Sequence, residues 1–453
     1  QGLYNFAALA PGQYQLNISA PGFATDIENG VELLVSQPST VNVKMKLASA
    51  AITVEVTATA PLVNHTDATI GNAFNEAQIK QLPTANRNVV QLLAQQPGVV
   101  FLGLQPGITQ SDNDTRSGAV NGIRSDQSNV TLDGVDVNDQ LNGYAFTSVL
   151  NVPPDSIQQF RLTTSNPGSS AGHSAGAQVA MVTKSGTNDF HGSFYEYNRN
   201  TALSANDVFL KTSQIESNPA KPNQAAPLIR NVYGLTVGGP LLKNKLFFFT
   251  NYEGRQDRES QVETRTVPTD SMRAGNLKYT AADGSTVTLT PSQIATMGTS
   301  NSVDPLPAAI AGVDPSMLAL FKNYPEPNST AVGDQLNTQG FVFASPIPAG
   351  YDTYIARMDY HLTPSETLFV RGETENFKIQ GAEQFPGQPP LSTNFNDSRG
   401  LIFGLTSVLS PSLVNNFHYG YIRQGGADIG PSTAPVVSTR NLSLPDGSGN
   451  YSN

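Results

Sequence analysis

Over much of its second half the chain alternates apolar and polar residues one for one. Tyr354, Ala356, Met358, Tyr360 and Leu362 interleave with Ile355, Arg357, Asp359 and His361. After a Pro364-Ser365 turn, Leu368, Val370 and Gly372 interleave with Phe369, Arg371 and Glu373. Further on, Phe417, Tyr419 and Tyr421 interleave with His418, Gly420 and Ile422. A period of two puts successive side chains on opposite faces of a strand. One face is aromatic and aliphatic, the other charged or polar. Such segments, about ten residues long and joined by short turns, mark the strands of outer-membrane barrels. A soluble β-sandwich alternates in the same way.

Connection lengths separate the two readings. The turns at Lys243-Asn244 and Pro364-Ser365 are short. Residues of about 257 to 350 instead read as one long polar excursion, holding Val267-Pro268-Thr269 and Tyr324-Pro325-Glu326-Pro327-Asn328. Short turns at one end of the strands and long loops at the other match a membrane barrel. A compact soluble domain rarely carries a loop of that length.

The first half is patterned differently. In residues 1–48, Tyr14, Leu16 and Ile18 alternate with Gln13, Gln15 and Asn17, and Pro11-Gly12 and Pro21-Gly22 supply turns. Two or three such strands are too few for a stable sandwich. Residues 49–187 mix periods. Asn75–Leu82 and Asn86–Gln95 are helix candidates, with Val89, Leu92 and Leu93 on one face and Pro97-Gly98 as the stop. Val120–Arg124, Asn129–Asp133, Phe160–Thr164 and Gln178–Lys184 are strand candidates. The expectation is a mainly β chain: a partial β-sandwich, an α+β domain, and a run of barrel strands from 188 to 453.

Composition narrows the function classes. Of 453 residues only 14% are charged and 38% hydrophobic, while there are 39 Gly and 31 Pro. That profile favours many short strands over helix bundles. A net charge of −10 without a basic run argues against a nucleic-acid partner. With no cysteine, disulfides, thiolate metal sites and a Cys nucleophile are excluded.

Several separate motifs, in order, resemble TonB-dependent outer-membrane receptors of the Oar-like branch. Asn121-Gly122-x-Arg124 followed by Leu132-Asp133-Gly134-Val135-Asp136-x-Asn138-Asp139 is similar to the family's plug hairpin. Ser156-Ile157-Gln158-Gln159-Phe160-Arg161 resembles the next segment, and Val182-Thr183-Lys184-Ser185-Gly186-Thr187-Asn188-x-Phe190-His191-Gly192 the plug exit. Arg230-Asn231-x-Tyr233-Gly234, Gly238-Gly239-Pro240 and Phe247-Phe248-Phe249 resemble the first barrel hairpin. Residues 1–48 resemble the last strands of a carboxypeptidase-regulatory-like sandwich, 49–187 the plug, and 188–453 the N-terminal part of the barrel. The resemblance implies a 22-stranded barrel, of the size that encloses a plugged lumen. Seven or eight strands can be found, so the sequence reads as a fragment with an incomplete barrel.

What the resemblance implies about function is uptake of an unidentified nutrient (glycan, peptide or chelate) across the outer membrane. Its partners would be TonB with the inner-membrane energising complex, outer-membrane lipid, and a small or oligomeric ligand, with no cofactor. The alternative is a surface structural or adhesion protein on the same scaffold. Ile52, Thr53, Val54, Glu55 and Val56 are the candidate TonB contact, since a β-prone segment there can add a strand to a partner. Equally, they read as the first plug strand. Asp136 and Asp139 are candidate ligand contacts at the plug apex. They do not make an EF-hand, because the sixth and twelfth positions from Asp133 are Asn138 and Tyr144. Gly172-His173-Ser174-Ala175-Gly176 matches a hydrolase elbow, yet lacks the strand-turn-helix setting and reads as a turn. No catalytic or metal-ligating residue is named. Arg116, Arg124 and Arg161 are candidates for ion pairs between plug and wall.

Overall fold

The computed structural model describes residues 12–35, 39–47, 54–57, 68–81, 96–101, 118–139, 148–206, 227–300, 311–410 and 413–430, with short breaks, and isolated residues including Arg87, Val89 and Leu92. An N-terminal sheet holds β1 (Gly12–Ile18), β2 (Asp26–Leu33) and β3 (Val54–Thr57). β1 and β2 are antiparallel, and β3 runs parallel to β2. Tyr14, Leu16 and Ile18 take the more covered face of β1, as their alternation predicts. This sheet therefore reaches past residue 48 for its third strand.

The inner domain follows: β4 (Ile70–Asn75), α1 (Glu76–Gln81), β5 (Val99–Phe101), β6 (Gly118–Val120), β7 (Ile123–Arg124), β8 (Asn129–Leu132), β9 (Val135–Asp136), β10 (Ile157–Ser165) and β11 (Gln178–Thr183). α1 begins where Asn75 and Gln78 cap each other, each side chain accepting from the other's backbone N–H at 3.0–3.1 Å. The expected strand Val120–Arg124 is instead a tight hairpin. Asn121 and Gly122 both take positive φ, as a two-residue reversal requires. The second helix candidate lies largely outside the described residues, though Val89 and Leu92 are buried. The main sheet has the order β4-β10-β11-β8-β9.

The wall is an antiparallel meander of β12 (His191–Asn200), β13 (Leu228–Leu242), β14 (Leu246–Pro268), β18 (Ala349–Thr363), β19 (Glu366–Gln380), β20 (Thr393–Ser410) and β21 (Leu413–Arg423). Among the described residues this sheet is open and does not close on itself. Between β14 and β18 come the β15 (Leu277–Thr280) and β16 (Thr286–Leu289) hairpin and β17 (Thr338–Pro346), while β22 (Gly426–Ile429) follows β21. The polar excursion expected over 257–350 is thus largely structured. β14 runs on for 23 residues and pairs its outer half with β17. Helices Asp270–Arg273, Pro291–Thr299 and Pro315–Lys322 fill the space between. Pro and Asn within it mark caps and turns inside a small outer cap. Phe385 is buried there against Tyr324 and Phe341.

The alternation sorts as the sequence predicts. Tyr354, Met358, Val370, Leu401, Phe417, Tyr419 and Tyr421 face outward and exposed, while Ile355, Asp359, Arg371, Glu373 and Ile402 are buried on the inner side. The inner domain sits against that inner face. Ile355 and Ile402 of the wall join one apolar cluster with Leu92, Leu132, Leu150, Phe160 and Leu162. This continuity fixes where the two parts meet.

Candidate functional site at the plug and wall junction

The junction is built around one turn. β8 and β9 are joined by Asp133 and Gly134, with φ of 48° and 82°. Asp tolerates the left-handed region and Gly adopts it freely, so this pair forms the two-residue hairpin turn. The turn buries the Asp133 carboxylate between inner domain and wall. On the inner side it accepts from Thr183 N at 2.9 Å and Thr183 Oγ1 at 2.8 Å. On the wall side Arg357 Nη1 lies 3.0 Å away and Arg371 Nε 3.5 Å.

Arg357 and Arg371 are register partners on β18 and β19. Two guanidinium groups facing each other across a strand pair repel. Each is therefore matched along its own strand, Arg357 by Asp359 at 2.8 Å and Arg371 by Glu373 in a close pair. Arg357 also stacks on the Phe369 ring, 4.6 Å from its centroid. The wall is thus charge-balanced by itself, and Asp133 is an added acid held by geometry. The backbone on both sides of the turn is closely packed. A Cβ at Gly134 would stand 2.6 Å from the His418 ring, and one at Gly420 2.3 Å from Val135.

Two further contacts lie along the wall. Asn151 N donates to Glu375 at 3.1 Å. Arg87 bridges Asp155 at 2.5 Å and Glu253 at 3.0 Å, lies 4.4 Å from the Tyr197 ring centroid, and shares Glu253 with the Tyr195 hydroxyl. At the base, Asn188 and Asn244 tie the plug exit to the first wall turn at 2.7 Å. Lys184 meets Glu76 at 2.7 Å, and Lys80 meets it at 2.9 Å. Burial pushes the Lys184 ammonium down. Burial opposes ionisation of Glu76 too, but the two lysines hold its carboxyl below the usual range. Both shifts run downward, but burial prevails at Lys184, whose side chain is 12% exposed, and the ion pairs prevail at Glu76, whose side chain is 46% exposed.

Between α1 and strands β12, β13, β14 and β18 lies a cavity of about 270 Å³. Lys80, Arg87, Arg230, Arg255, Glu253 and Tyr351 are among its lining residues.

The residues singled out from sequence fall as follows. Ile52 and Thr53 lie outside the described residues. Val54, Glu55 and Val56 form β3, one edge of which is taken by β2. Asp136 is half-buried and accepts from Asn138 N at 2.8 Å, closing a local turn; Asp139 is buried. Ser174 makes a turn, as expected: Oγ donates to Gln127 O at 2.6 Å and accepts from Gly176 N at 3.2 Å. Arg161 corrects the wall-pair expectation. It is buried and donates to Val35 O at 3.0 Å and Thr69 Oγ1 at 3.3 Å, tying the inner domain to the N-terminal segment. Arg116 and the Arg124 side chain lie outside the described residues. Among the described residues that bridge plug and wall, Asp133 enters the sequence reading only as the start of a rejected calcium loop, and Arg87, Arg357 and Arg371 are not among its ion-pair candidates. A signal existed, because Arg357 and Arg371 stand equally far on either side of Pro364 on the polar face.

The comparisons with known proteins agree with this architecture. Residues 182–452 match the model of an outer membrane beta barrel domain, and residues 66–179 that of the TonB-dependent receptor plug domain. The TonB-dependent transporter Oar of Myxococcus xanthus is 27% identical over 268 residues, which is 58% of this chain and 24% of that protein. This chain thus spans about a quarter of the length of that curated relative. Among solved structures, the outer membrane transporter YddB from Escherichia coli aligns over 78% of this chain and 38% of its own, at 14% identity and a TM-score of 0.48. A ferric enterobactin receptor from Pseudomonas aeruginosa aligns over 79% and 42%, at 12% identity and a TM-score of 0.40. A plug seated on the inner face of a membrane wall, with both family models matched in order, is the conclusion: the chain belongs to the TonB-dependent receptors of the bacterial outer membrane, in their Oar-like branch.

Proposed function

We propose that this chain supplies the gate and part of the wall of an energised importer. The observation that carries the reading is the character of the plug's attachment. Its deepest wall contact is an acid meeting two arginines that are already balanced by wall carboxylates. Withdrawing Asp133 leaves both wall arginines matched by wall carboxylates, so this contact can break and re-form without stranding a buried cation. A ligand bound from outside, with Asp136 and Asp139 as contacts, would be released inward when the plug shifts. TonB would supply the pull. Ile52, Thr53, Val54, Glu55 and Val56 are proposed as its docking segment, with a TonB strand added beside β3 on the edge away from β2. Residues 1–48 serve as a regulatory-like appendage.

The test is accumulation of labelled candidate nutrients by cells carrying the full-length gene, with and without TonB. Uptake that disappears without TonB supports the reading. Surface binding that persists with no accumulation in either strain replaces it with adhesion. A cross-linking scan through residues 50–58 examines the docking segment separately. Adducts to TonB from a neighbouring segment alone would move the contact elsewhere.

A further inference from the structure

The outward face of β20 and β21 changes character at one level. Going up, the register sets Leu405 against Phe417, Phe403 against Tyr419 and Leu401 against Tyr421. Two residues higher, Arg399 stands opposite Arg423. β21 has eleven residues from Leu413, beside the short turn, to Arg423, hence ten steps. At about 3.3 Å each and a tilt of about 40°, those steps climb roughly 25 Å, the height of the apolar band. The two guanidinium groups therefore stand where hydrocarbon gives way to headgroups, at the end of the wall that carries the outer cap. Like charges in register repel. Asp397 matches one of them: its two oxygens accept from Arg399 Nε and Nη2, both at 2.9 Å. Among the described residues no carboxylate pairs with Arg423. Just below Arg399 the outward surface dips. Gly372 lies on that side, between the inward Arg371 and Glu373, with Ala356 and Leu401 as its register partners. A Cβ at Gly372 would meet nothing within 4 Å.

We infer that this stretch of wall holds one anionic lipid of the outer leaflet. Arg399 and Arg423 take its phosphate, and an acyl chain lies over Gly372 and Ala356. The planar fork of each guanidinium matches phosphate oxygens, and a phosphate between the two offsets their repulsion. Two cations and one acid leave a surplus of one positive charge, which one phosphodiester neutralises. The Asp397 carboxylate stays on Arg399 and turns that side chain toward the register pair. A free anion would gain the same charge contacts but would leave the dip and the rows of Leu401, Tyr421 and Tyr419 without a partner. Lipid supplies both halves, because the headgroup and the chain arrive at the same two levels. The inference rests on the place of the barrel in the outer membrane, and not on import.

The experiment is native mass spectrometry of the full-length receptor in a neutral detergent. The probes are phosphatidic acid and phosphatidylcholine with identical acyl chains, each alone and with inorganic phosphate as competitor. The receptor is expected to retain phosphatidic acid roughly tenfold more tightly than phosphatidylcholine. That preference should disappear in the double variant Arg399→Gln, Arg423→Gln. It should survive Arg258→Gln, which removes a cation from β14 away from the site. Gly372→Leu, which fills the dip, should weaken retention of both lipids. Equal retention of the two lipids by the unaltered receptor would overturn the proposal. So would a preference that persists in the double variant, or one lost equally in Arg258→Gln, which would mark a general effect of charge. Displacement of the lipid by an equal concentration of inorganic phosphate would make this a site for free anions and overturn the lipid assignment. None of these outcomes depends on whether the receptor imports anything, so the importer reading is tested separately by uptake.

Discussion

Removing the acid from the Asp133-Gly134 turn is the most direct test of how the plug is held. In Asp133→Ala, Thr183 N and Oγ1 lose acceptors at 2.9 and 2.8 Å, and Arg357 loses one at 3.0 Å. The Asp133 side chain is only 2% exposed, so solvent replaces these contacts poorly. Breaking a buried ion pair from one side costs about 3–5 kcal/mol, and a stranded donor about 1–3 kcal/mol. Arg357 keeps Asp359, which puts the expected loss at the low end, about 3 kcal/mol. That corresponds to opening of the plug sheet roughly a hundredfold more often. Asp133→Asn keeps one acceptor oxygen and should cost about 1 kcal/mol. The assay is hydrogen exchange of the full-length receptor in detergent, read at Thr183 and along β8 and β11, with β13 and β14 as internal reference. A cycle with Arg357→Gln isolates the pair. A loss in Asp133→Ala below about 0.5 kcal/mol, or strict additivity of the two substitutions, would refute the argument.

Three other outcomes are expected. Gly186→Ala places a Cβ 2.3 Å from Phe248 O and 2.7 Å from Gly239 O, both backbone, so the plug exit must move and about 2 kcal/mol or more is lost; an unchanged thermal midpoint would contradict this. Asp334 accepts from the backbone N–H groups of Thr338, Asn337 and Leu336, which hold its carboxyl well below the usual range. A depressed carboxyl stabilises above its ordinary value and loses that effect as pH falls through the depressed one. Asp334→Asn should therefore speed proteolysis of the outer cap at neutral pH, and equal rates would count against the anchor. Glu76→Gln removes the partner of Lys184 and Lys80, but its half-exposed side chain limits the loss to under about 1 kcal/mol. Because the Glu76 carboxyl is likewise depressed, the difference from the wild type should vanish in acid, which exchange at α1 would show.

Local patterns carried most of the architecture and little of the site. Alternation at Tyr354–Leu362 and Leu368–Glu373 was enough to assign faces, because a two-residue period has only two solutions. The Asp133-Gly134 turn was visible too, since few residue pairs tolerate two positive φ angles. What the pattern could not carry was contact across long separation. Asp133 and Arg357 meet only once the hairpin is seated against the wall, and no periodicity links them. Arg161 misled for the same reason. A charged residue in a strand has two faces to choose from, and here it faces the N-terminal segment. The excursion was misjudged because pairing of β17 with the outer half of β14 depends on a partner 70 or so residues away, beyond local turn signals.

The length of β14 bears on where this protein first meets its surroundings. Twenty-three residues at about 3.3 Å each reach roughly 75 Å, and a tilt of about 40° still leaves more than 50 Å of height. The apolar band of such a barrel is about 25 Å tall. Some tens of ångströms of paired strand therefore stand clear of the lipid, topped by the helices and hairpin of the outer cap. A large solute approaching from outside therefore meets that platform before it reaches the bilayer.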